Sequence, residues 1–256
     1  MEREPGPADK RYSIRAVKRV CGILSLIQEH PQGFSLNQVA DVTELPKSSA
    51  YRYLTTLEEE GYVMRDLVSG LFRIGTAFLP LQSQQLALLG DRVRPYLVKL
   101  RDEFDETANL GMLDGSRVSY AEIIESPHSV RLAARPGDRD QLHCTALGKA
   151  IAATLDLDRV KAILAAEGMP ERTPATITTL DAYLDELEKT RTQGYALDDG
   201  ENERDGRCIA VSLAGLGLPA SISLSAPATR LPVEDVPRVA EALNQVAAEL
   251  MNQKKP

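Results

Sequence analysis

Cysteine is scarce and scattered in this sequence. Cys21, Cys144 and Cys208 show no CxxC spacing, so neither a disulfide framework nor a zinc ribbon is expected, and a reducing cytoplasm suits the chain. An apolar signal core is absent from the opening MEREPGPADK, so residues 1–11 read as a flexible leader. An unbroken membrane-length apolar run is absent too. The one long uncharged stretch, Cys208 to Thr229, contains Gly215, Gly217, Pro219 and Pro227 and alternates Ser221, Ser223 and Ser225 with Ile222 and Leu224. That pattern predicts two strands and a turn, and no membrane partner. Positive charge is not in excess: the formal charge of −7 excludes a polycation that coats nucleic acid nonspecifically.

What is present is ordinary for a folded chain. At 256 residues, with 43% hydrophobic and 26% charged, the sequence allows one large domain or two modest ones with a real core. Charge divides them unevenly. Residues 1–75 balance ten basic against ten acidic side chains, so all the excess acid lies further on, and Lys10, Arg11, Arg15, Lys18 and Arg19 cluster near the start.

The first part has a helical rhythm. Ile14, Val17, Val20, Cys21, Leu24 and Ile27 predict one amphipathic helix between Ser13 and His30, with Arg15, Lys18 and Arg19 off its apolar stripe. After Pro31-Gln32-Gly33, Ser35 and Gln38 stand at capping-box spacing before a short second helix. A third helix is expected to begin with Pro46 as its first residue, to bury Ala50, Tyr53, Leu54 and Leu57, and to end at Gly61. Tyr62 to Asp66 and Leu71 to Ile74 then predict a hairpin through Ser69-Gly70. Three helices and a hairpin over residues 12–75 make a winged helix-turn-helix, whose third helix fits a DNA major groove with its N-terminal residues at the base edges. Lys47, Ser48, Ser49 and Arg52 are the expected groove and backbone contacts, with Tyr51 on a phosphate or thymine methyl. Ser35 is expected at a phosphate, and Arg73, Arg15 and Arg19 as auxiliaries. The competing reading is a trihelical protein-binding module with a solvated polar face.

Residues 76–90 read as a linker helix with Leu79, Leu86 and Leu89 on a semi-apolar face, or as a plain solvated linker. Residues 91–256 read as an α+β domain. A helix with Val93, Leu97, Leu100 and Phe104 leads to strands at 109–113 and 118–124, helices at 145–155, 158–167 and 180–191, two further strands and a last helix. Ser221, Ser223 and Ser225 share one strand face, which either meets solvent or walls a pocket for a polar ligand. Cys144 or Cys208 with His143 and Asp198 would be the parts of a cysteine enzyme. Neighbours such as His143 and Cys144 point to different sides, however, and no catalytic, cofactor or metal site is expected.

The string LPKSSAYRYLTTLEEEGYVMRD (Leu45 to Asp66) closely resembles the recognition helix and wing of IclR-family transcriptional regulators. The resemblance continues through Arg15-Ala16 and Phe72-Arg73-Ile74-Gly75. It returns in HCTALGKA (His143 to Ala150), GYALDDGE (Gly194 to Glu201), RCIAV (Arg207 to Val211) and SISLSAP (Ser221 to Pro227). It implies a double-stranded operator DNA partner, a linker that helps form a homodimer or tetramer, and a GAF-like C-terminal domain that binds a small-molecule effector. Matched motif by motif, it places the effector against Ala146, Leu147, Asp198, Cys208, Ser223 and Ser225, with Leu132 as an apolar wall. Backbone N–H groups near Thr145 and Ala146 would favour an anionic or carbonyl group, and Asp198 a hydroxyl or amine; a small hydroxylated or aromatic carboxylate meets both. The alternative is a second domain that only oligomerises or binds protein. Two departures stand out: Glu44 replaces the usual glycine before LPKS, so a differently shaped turn is expected, and Ser49 replaces the usual threonine.

Overall fold

The computed structural model describes residues 14–30 and 32–252, apart from the side chains at positions 28, 81–83, 85 and 86. The leader, Lys10, Arg11, Ser13, Pro31 and the Leu86 side chain therefore lie outside the described residues. The chain divides into two compact units, residues 1–85 and 86–256.

In the first unit, α1 (Arg15–Glu29), α2 (Leu36–Thr43) and α3 (Lys47–Glu59) precede a hairpin of β1 (Val63–Arg65) and β2 (Phe72–Ile74). Their core joins Ile23, Leu26, Ile27, Phe34, Val39, Ala50, Leu54, Leu57, Val63 and Phe72. The buried face of α1 is rotated from the expected stripe: Ile23 is fully buried, whereas Ile14 and Val17 are exposed and so is Cys21. Two residues along a helix turn by about 200°, so Cys21 must point away from whatever Ile23 packs on.

The capping box forms as expected. Ser35 Oγ accepts from the Gln38 N–H at 3.3 Å, and Gln38 Oε1 accepts from the Ser35 N–H at 2.8 Å. Glu44 corrects the expectation of an altered turn, because it adopts the left-handed conformation itself, at φ 54° and ψ 40°. The turn keeps the shape a glycine would give it, at a cost of about 1 kcal/mol. Pro46 sits one position earlier than expected, as the N-cap of α3, where its carbonyl accepts from the N–H groups of Ser49 and Ala50. At the far end, Gly61 turns left-handed (φ 74°), and a β-carbon on Gly75 would fall 2.0 Å from the Gly61 carbonyl oxygen. Both glycines let the hairpin fold back tightly on α3. Phe34, ahead of α2, exchanges both backbone hydrogen bonds with Phe72 at 2.8 Å, a single β-bridge that ties the start of α2 to the wing.

The expected linker and the helix after it are one element, α4 (Phe78–Phe104), with Pro95 inside it. Next come β3 (Thr107–Asp114), β4 (Arg117–Ile124), β5 (Arg139–Gln141), α5 (Ala146–Ala152), α6 (Leu157–Glu167) and α7 (Leu180–Gln193). The chain then forms β6 (Ala196–Asp199), β7 (Gly206–Ser212), β8 (Ala220–Pro227) and α8 (Val236–Asn252). The strands make a six-stranded antiparallel sheet in the order β5-β4-β3-β8-β7-β6, a GAF-like α+β arrangement in which β5 and β6 escaped the sequence reading. One face packs Ala108, Leu110, Ile209, Val211, Ile222 and Leu224 against Val93, Leu97 and Leu100 of α4 and Val239, Leu243 and Leu250 of α8. The other face packs Val118, Ala196 and Ala210 against Leu147 and Ile151 of α5, Val160 of α6, and Tyr183 and Leu187 of α7. No described helix is long and apolar enough to cross a membrane.

Candidate DNA-binding surface and ligand cavity

On α3 the burial of Ala50, Leu54 and Leu57 turns Lys47, Ser48, Tyr51 and Arg52 outward, while Ser49 is half-buried. Ser49 and Arg52 line a groove of about 520 Å³ between α1 and α3, together with Arg19 of α1; Lys47, Ser48 and Tyr51 lie outside it. Three of the remaining expected contacts are already engaged. Arg19 Nε donates to the Thr43 carbonyl at 3.3 Å, so that arginine also ties α1 to the end of α2. Ser35 Oγ donates to Gln38 Oε1 at 2.9 Å, which commits its hydroxyl to the helix cap. Arg73 pairs with Asp66 at 3.1 Å. Arg15 is exposed on α1. Arg65, a wing cation with no contact expected from the sequence, stands 5.8 Å from the centre of the Phe72 ring.

The second unit holds a cavity of about 290 Å³ on the sheet face that carries the serine row. Antiparallel pairing sets Asn109 opposite Ser223, and Cys208 opposite Ser225, so alternate residues of β3, β7 and β8 share that face. A β-bulge between Leu110 and Gly111 shifts the register with β4. The extra residue switches the parity of β4: Ile124 packs with the α4/α8 core, whereas Tyr120 reaches the cavity.

Of the expected effector residues, Leu132, Asp198, Cys208 and Ser225 line the cavity. Ser223 lies beneath it, fully buried, and accepts from Asn109 Nδ2 at 3.1 Å; the same amide donates to Ser225 Oγ at 3.0 Å. Ala146 and Leu147 are not in the lining. Leu147 packs against Gly111, where a β-carbon would come within 3.0 Å of it, and its carbonyl accepts from Ser221 Oγ at 3.0 Å. The start of α5 is capped internally as well, since Thr145 Oγ accepts from the Gly148 N–H at 3.0 Å. The first turn of this helix is thus core, and the expected anion position at Thr145 and Ala146 moves elsewhere. Missed by the sequence reading are Asn109, Tyr120, Asp140, Arg172 and Asn202. A buried asparagine within an apolar strand was the one signal available for Asn109. Arg172 comes from an irregular segment with no pattern to betray it.

Burial governs the chemistry here. Asp198 is 3% exposed, and its Oδ1 accepts from the N–H groups of Glu201 (2.8 Å) and Asn202 (3.2 Å). Burial, reinforced by the Glu201 charge, pushes its carboxyl up to about 7. Tyr120 donates to Asp140 Oδ2 at 3.1 Å, and burial raises its phenol. Arg172 Nε donates to the Asn202 carbonyl at 3.3 Å, and its terminal nitrogens have no protein partner among the described residues. Behind the cavity, the fully buried Lys149 Nζ donates to Glu201 Oε1 at 2.6 Å and to Glu186 Oε1 at 3.2 Å. Burial raises the Cys144 thiol to about 12 and the Cys208 thiol further, so neither supplies a thiolate near neutrality. Burial lowers His143, whose Nε2 lies 3.1 Å from the Pro170 carbonyl and so carries the ring proton. Among the described residues no group of three His, Cys, Asp or Glu side chains is placed to hold a metal.

The family description "IclR helix-turn-helix domain" matches residues 16–67, and "Bacterial transcriptional regulator IclR C-terminal" matches 83–252. The chain is 30% identical over 241 residues to the regulator XynR of Escherichia coli, covering 93% of this chain and 96% of that one. It is 32% identical over 252 residues to BhcR of Paracoccus denitrificans, covering 95% and 88%. Thermotoga maritima IclR superposes with a TM-score of 0.62 at 29% identity, over 94% of this chain and 99% of that one. An IclR homolog from Microbacterium hydrocarbonoxydans, solved with 4-hydroxybenzoate, shares the fold at 21% identity and a TM-score of 0.60, over 92% and 97%. XynR and BhcR are both HTH-type transcriptional regulators. Helix-turn-helix, wing and sheet domain, matched along both units, make this chain a member of the IclR family of DNA-binding transcriptional regulators.

Proposed function

We propose that the second unit senses a small hydroxylated carboxylate and that its occupancy sets the operator affinity of the first. The observation that carries this is the cavity's chemistry: a guanidinium with unpartnered terminal nitrogens at Arg172 shares the lining with the buried Asp198 and Asn109 and the half-buried Asp140, all of which carry oxygen acceptors. A carboxylate pairs with the guanidinium, and hydroxyls donate to the carboxyl and amide oxygens. Tyr120 is the one aromatic ring in the lining, which favours a hydroxylated acid over an aromatic one. In the first unit, Lys47, Ser48, Ser49, Tyr51 and Arg52 read the operator, with Arg15 holding its backbone and Arg19, Ser35 and Arg73 joining it on exchanging their internal bonds for phosphate. A homodimer or tetramer presents two such units to a palindromic site.

The experiment uses a duplex enriched from a randomised DNA pool by the full-length protein, titrated with and without a panel of small carboxylates. At least one hydroxylated acid is expected to change the affinity severalfold, and Arg172→Gln to abolish that change while leaving DNA binding alone. If no acid shifts the affinity of the parent, the cavity is not an effector site and the domain serves assembly alone.

A further inference from the structure

The floor of the cavity carries an amide held in one orientation. Asn109 is 2% exposed on β3 and lines the cavity, whereas its neighbours Ala108 and Leu110 belong to the core on the opposite face. Antiparallel pairing sets it beside β8, where its Nδ2 donates to Ser223 Oγ at 3.1 Å and to Ser225 Oγ at 3.0 Å. An amide nitrogen has two hydrogens, and both are used. The reverse orientation would need both serine hydroxyls to donate to Oδ1. Ser225 stands opposite Cys208 in register, however, and its hydroxyl works against the burial that raises that thiol, as a donor to the sulfur does. Oδ1, with no protein partner among the described residues, is therefore the end of the amide offered to the cavity. The groups around it are committed differently: Tyr120 already gives its hydrogen to Asp140, and Asp198 changes from donor to acceptor as its carboxyl titrates at about 7.

We propose that Asn109 decides the oxidation level of the effector: its Oδ1, fixed by Ser223 and Ser225, accepts from a hydroxyl and rejects the acid that carries a carbonyl in that place. This rests on reading the cavity as the effector site, and it narrows the effector to a hydroxy acid distinguished from its oxo counterpart. An acceptor without a hydrogen of its own is selective by sign. Two buried oxygens that face each other leave both unpaired, which costs about tenfold or more in affinity. Arg172 pairs with the carboxylate of either acid alike, so the discrimination falls to the floor of the cavity.

The test is calorimetric titration of the full-length protein with lactate, 2-hydroxybutyrate, glycerate and gluconate, each beside the acids in which one of its hydroxyls is oxidised to a carbonyl. The parent is expected to bind at least one hydroxy acid about tenfold or more tightly than an oxo counterpart, at pH 6 and pH 8 alike. Asn109→Leu removes the acceptor and should bring the two affinities within about twofold of each other. Ser223→Ala touches no ligand, since Ser223 lies beneath the lining, but it takes away one of the two oxygens that hold the amide. The ratio of affinities should fall about fivefold in that variant, a change that a cavity wall of unaltered shape does not produce. A parental ratio in either variant overturns the proposal. So does a preference for the hydroxy acid at pH 8 that vanishes at pH 6, because it would follow the titration of Asp198. If none of the acids binds, the reading of the cavity as an effector site falls and this proposal with it; if the parent binds an oxo acid as well as its hydroxy acid throughout, only the assignment of Asn109 falls.

Discussion

The two surfaces proposed to act in this regulator are built on opposite terms. On α3, the side chains assigned to DNA project from a helix whose other face supplies the core, so Lys47, Ser48, Tyr51 and Arg52 stand exposed and can be exchanged without disturbing the packing. Around the cavity, several polar groups are buried and hold one another: Asn109 holds Ser223 and Ser225, Asp198 holds the turn at Glu201 and Asn202, and Lys149 holds Glu201 and Glu186. On the proposed assignments, recognition of DNA is separable from stability, whereas recognition of a ligand is not. Evolution can redirect the first by single exposed changes. The second must change in groups that keep every buried donor and acceptor paired.

The largest effect tests that contrast at Lys149. Replacing it with Met leaves Glu201 without its cation and Glu186 with only Lys189 at 3.7 Å, and Glu201 Oε2 is already a buried oxygen with no partner. A loss of about 3–5 kcal/mol in unfolding free energy is expected from denaturant titration. Arg52→Ala, exposed on α3, is expected to stay within about 0.5 kcal/mol of the parent. Comparable losses in the two variants would end the distinction between a removable surface and an interlocked one.

An effect of similar size comes from Asp198, and its sign is fixed by burial. Its carboxyl titrates at about 7 in the folded chain against an ordinary 3.8. Between about pH 4 and 7 the folded protein therefore keeps a proton that the unfolded chain has released, and stability falls as pH rises through that window. Glu201 is raised by burial too and contributes with the same sign, so the informative quantity is the difference between the parent and Asp198→Asn. Near pH 4 the two should unfold alike. By pH 8 the asparagine variant, which keeps an oxygen for the N–H groups of Glu201 and Asn202, should be the more stable by an amount on the order of 4 kcal/mol. Parallel stability curves across this range would mean that Asp198 is not buried as a charge.

The same contrast explains which parts of the molecule could be read from the chain alone. The first unit is local: caps at Ser35 and Pro46, the periodicity of α3 and the glycine at position 61 each act within a few residues of sequence, and so the winged helix-turn-helix was legible. Even there, α1 was read with its buried face turned, because both Cys21 and Ile23 are apolar and only packing chooses between them. The cavity draws on segments from Asn109 to Ser225. Leu132, Asp198, Cys208 and Ser225 came from motif resemblance and the alternation of β8, but Tyr120 depends on the bulge at Leu110 and Gly111, which is a property of two strands together. Ala146 and Leu147 failed for a related reason. A short helix whose residues are all buried has no apolar stripe to show which side meets the cavity and which meets Gly111.

The smallest expected effect returns to the first unit and to a residue that breaks a local rule. Glu44 is left-handed at φ 54°, with its N–H directed to the carbonyls of Ala40 and Asp41 and its side chain in solvent. Glycine would relieve the steric cost of that conformation, about 1 kcal/mol, and would return part of it through the greater freedom of the unfolded chain. Glu44→Gly should therefore raise the unfolding free energy by about 0.5 kcal/mol. Because the turn already has the glycine shape, α3 should keep its approach to DNA, and affinity for the selected duplex should stay within about twofold. A larger change in affinity would mean that the Glu44 carboxylate, two residues before Pro46, is itself felt by the phosphate backbone. The turn would then be part of the readable surface, and the boundary between what shapes this module and what it recognises would lie one residue class deeper than the burial pattern draws it.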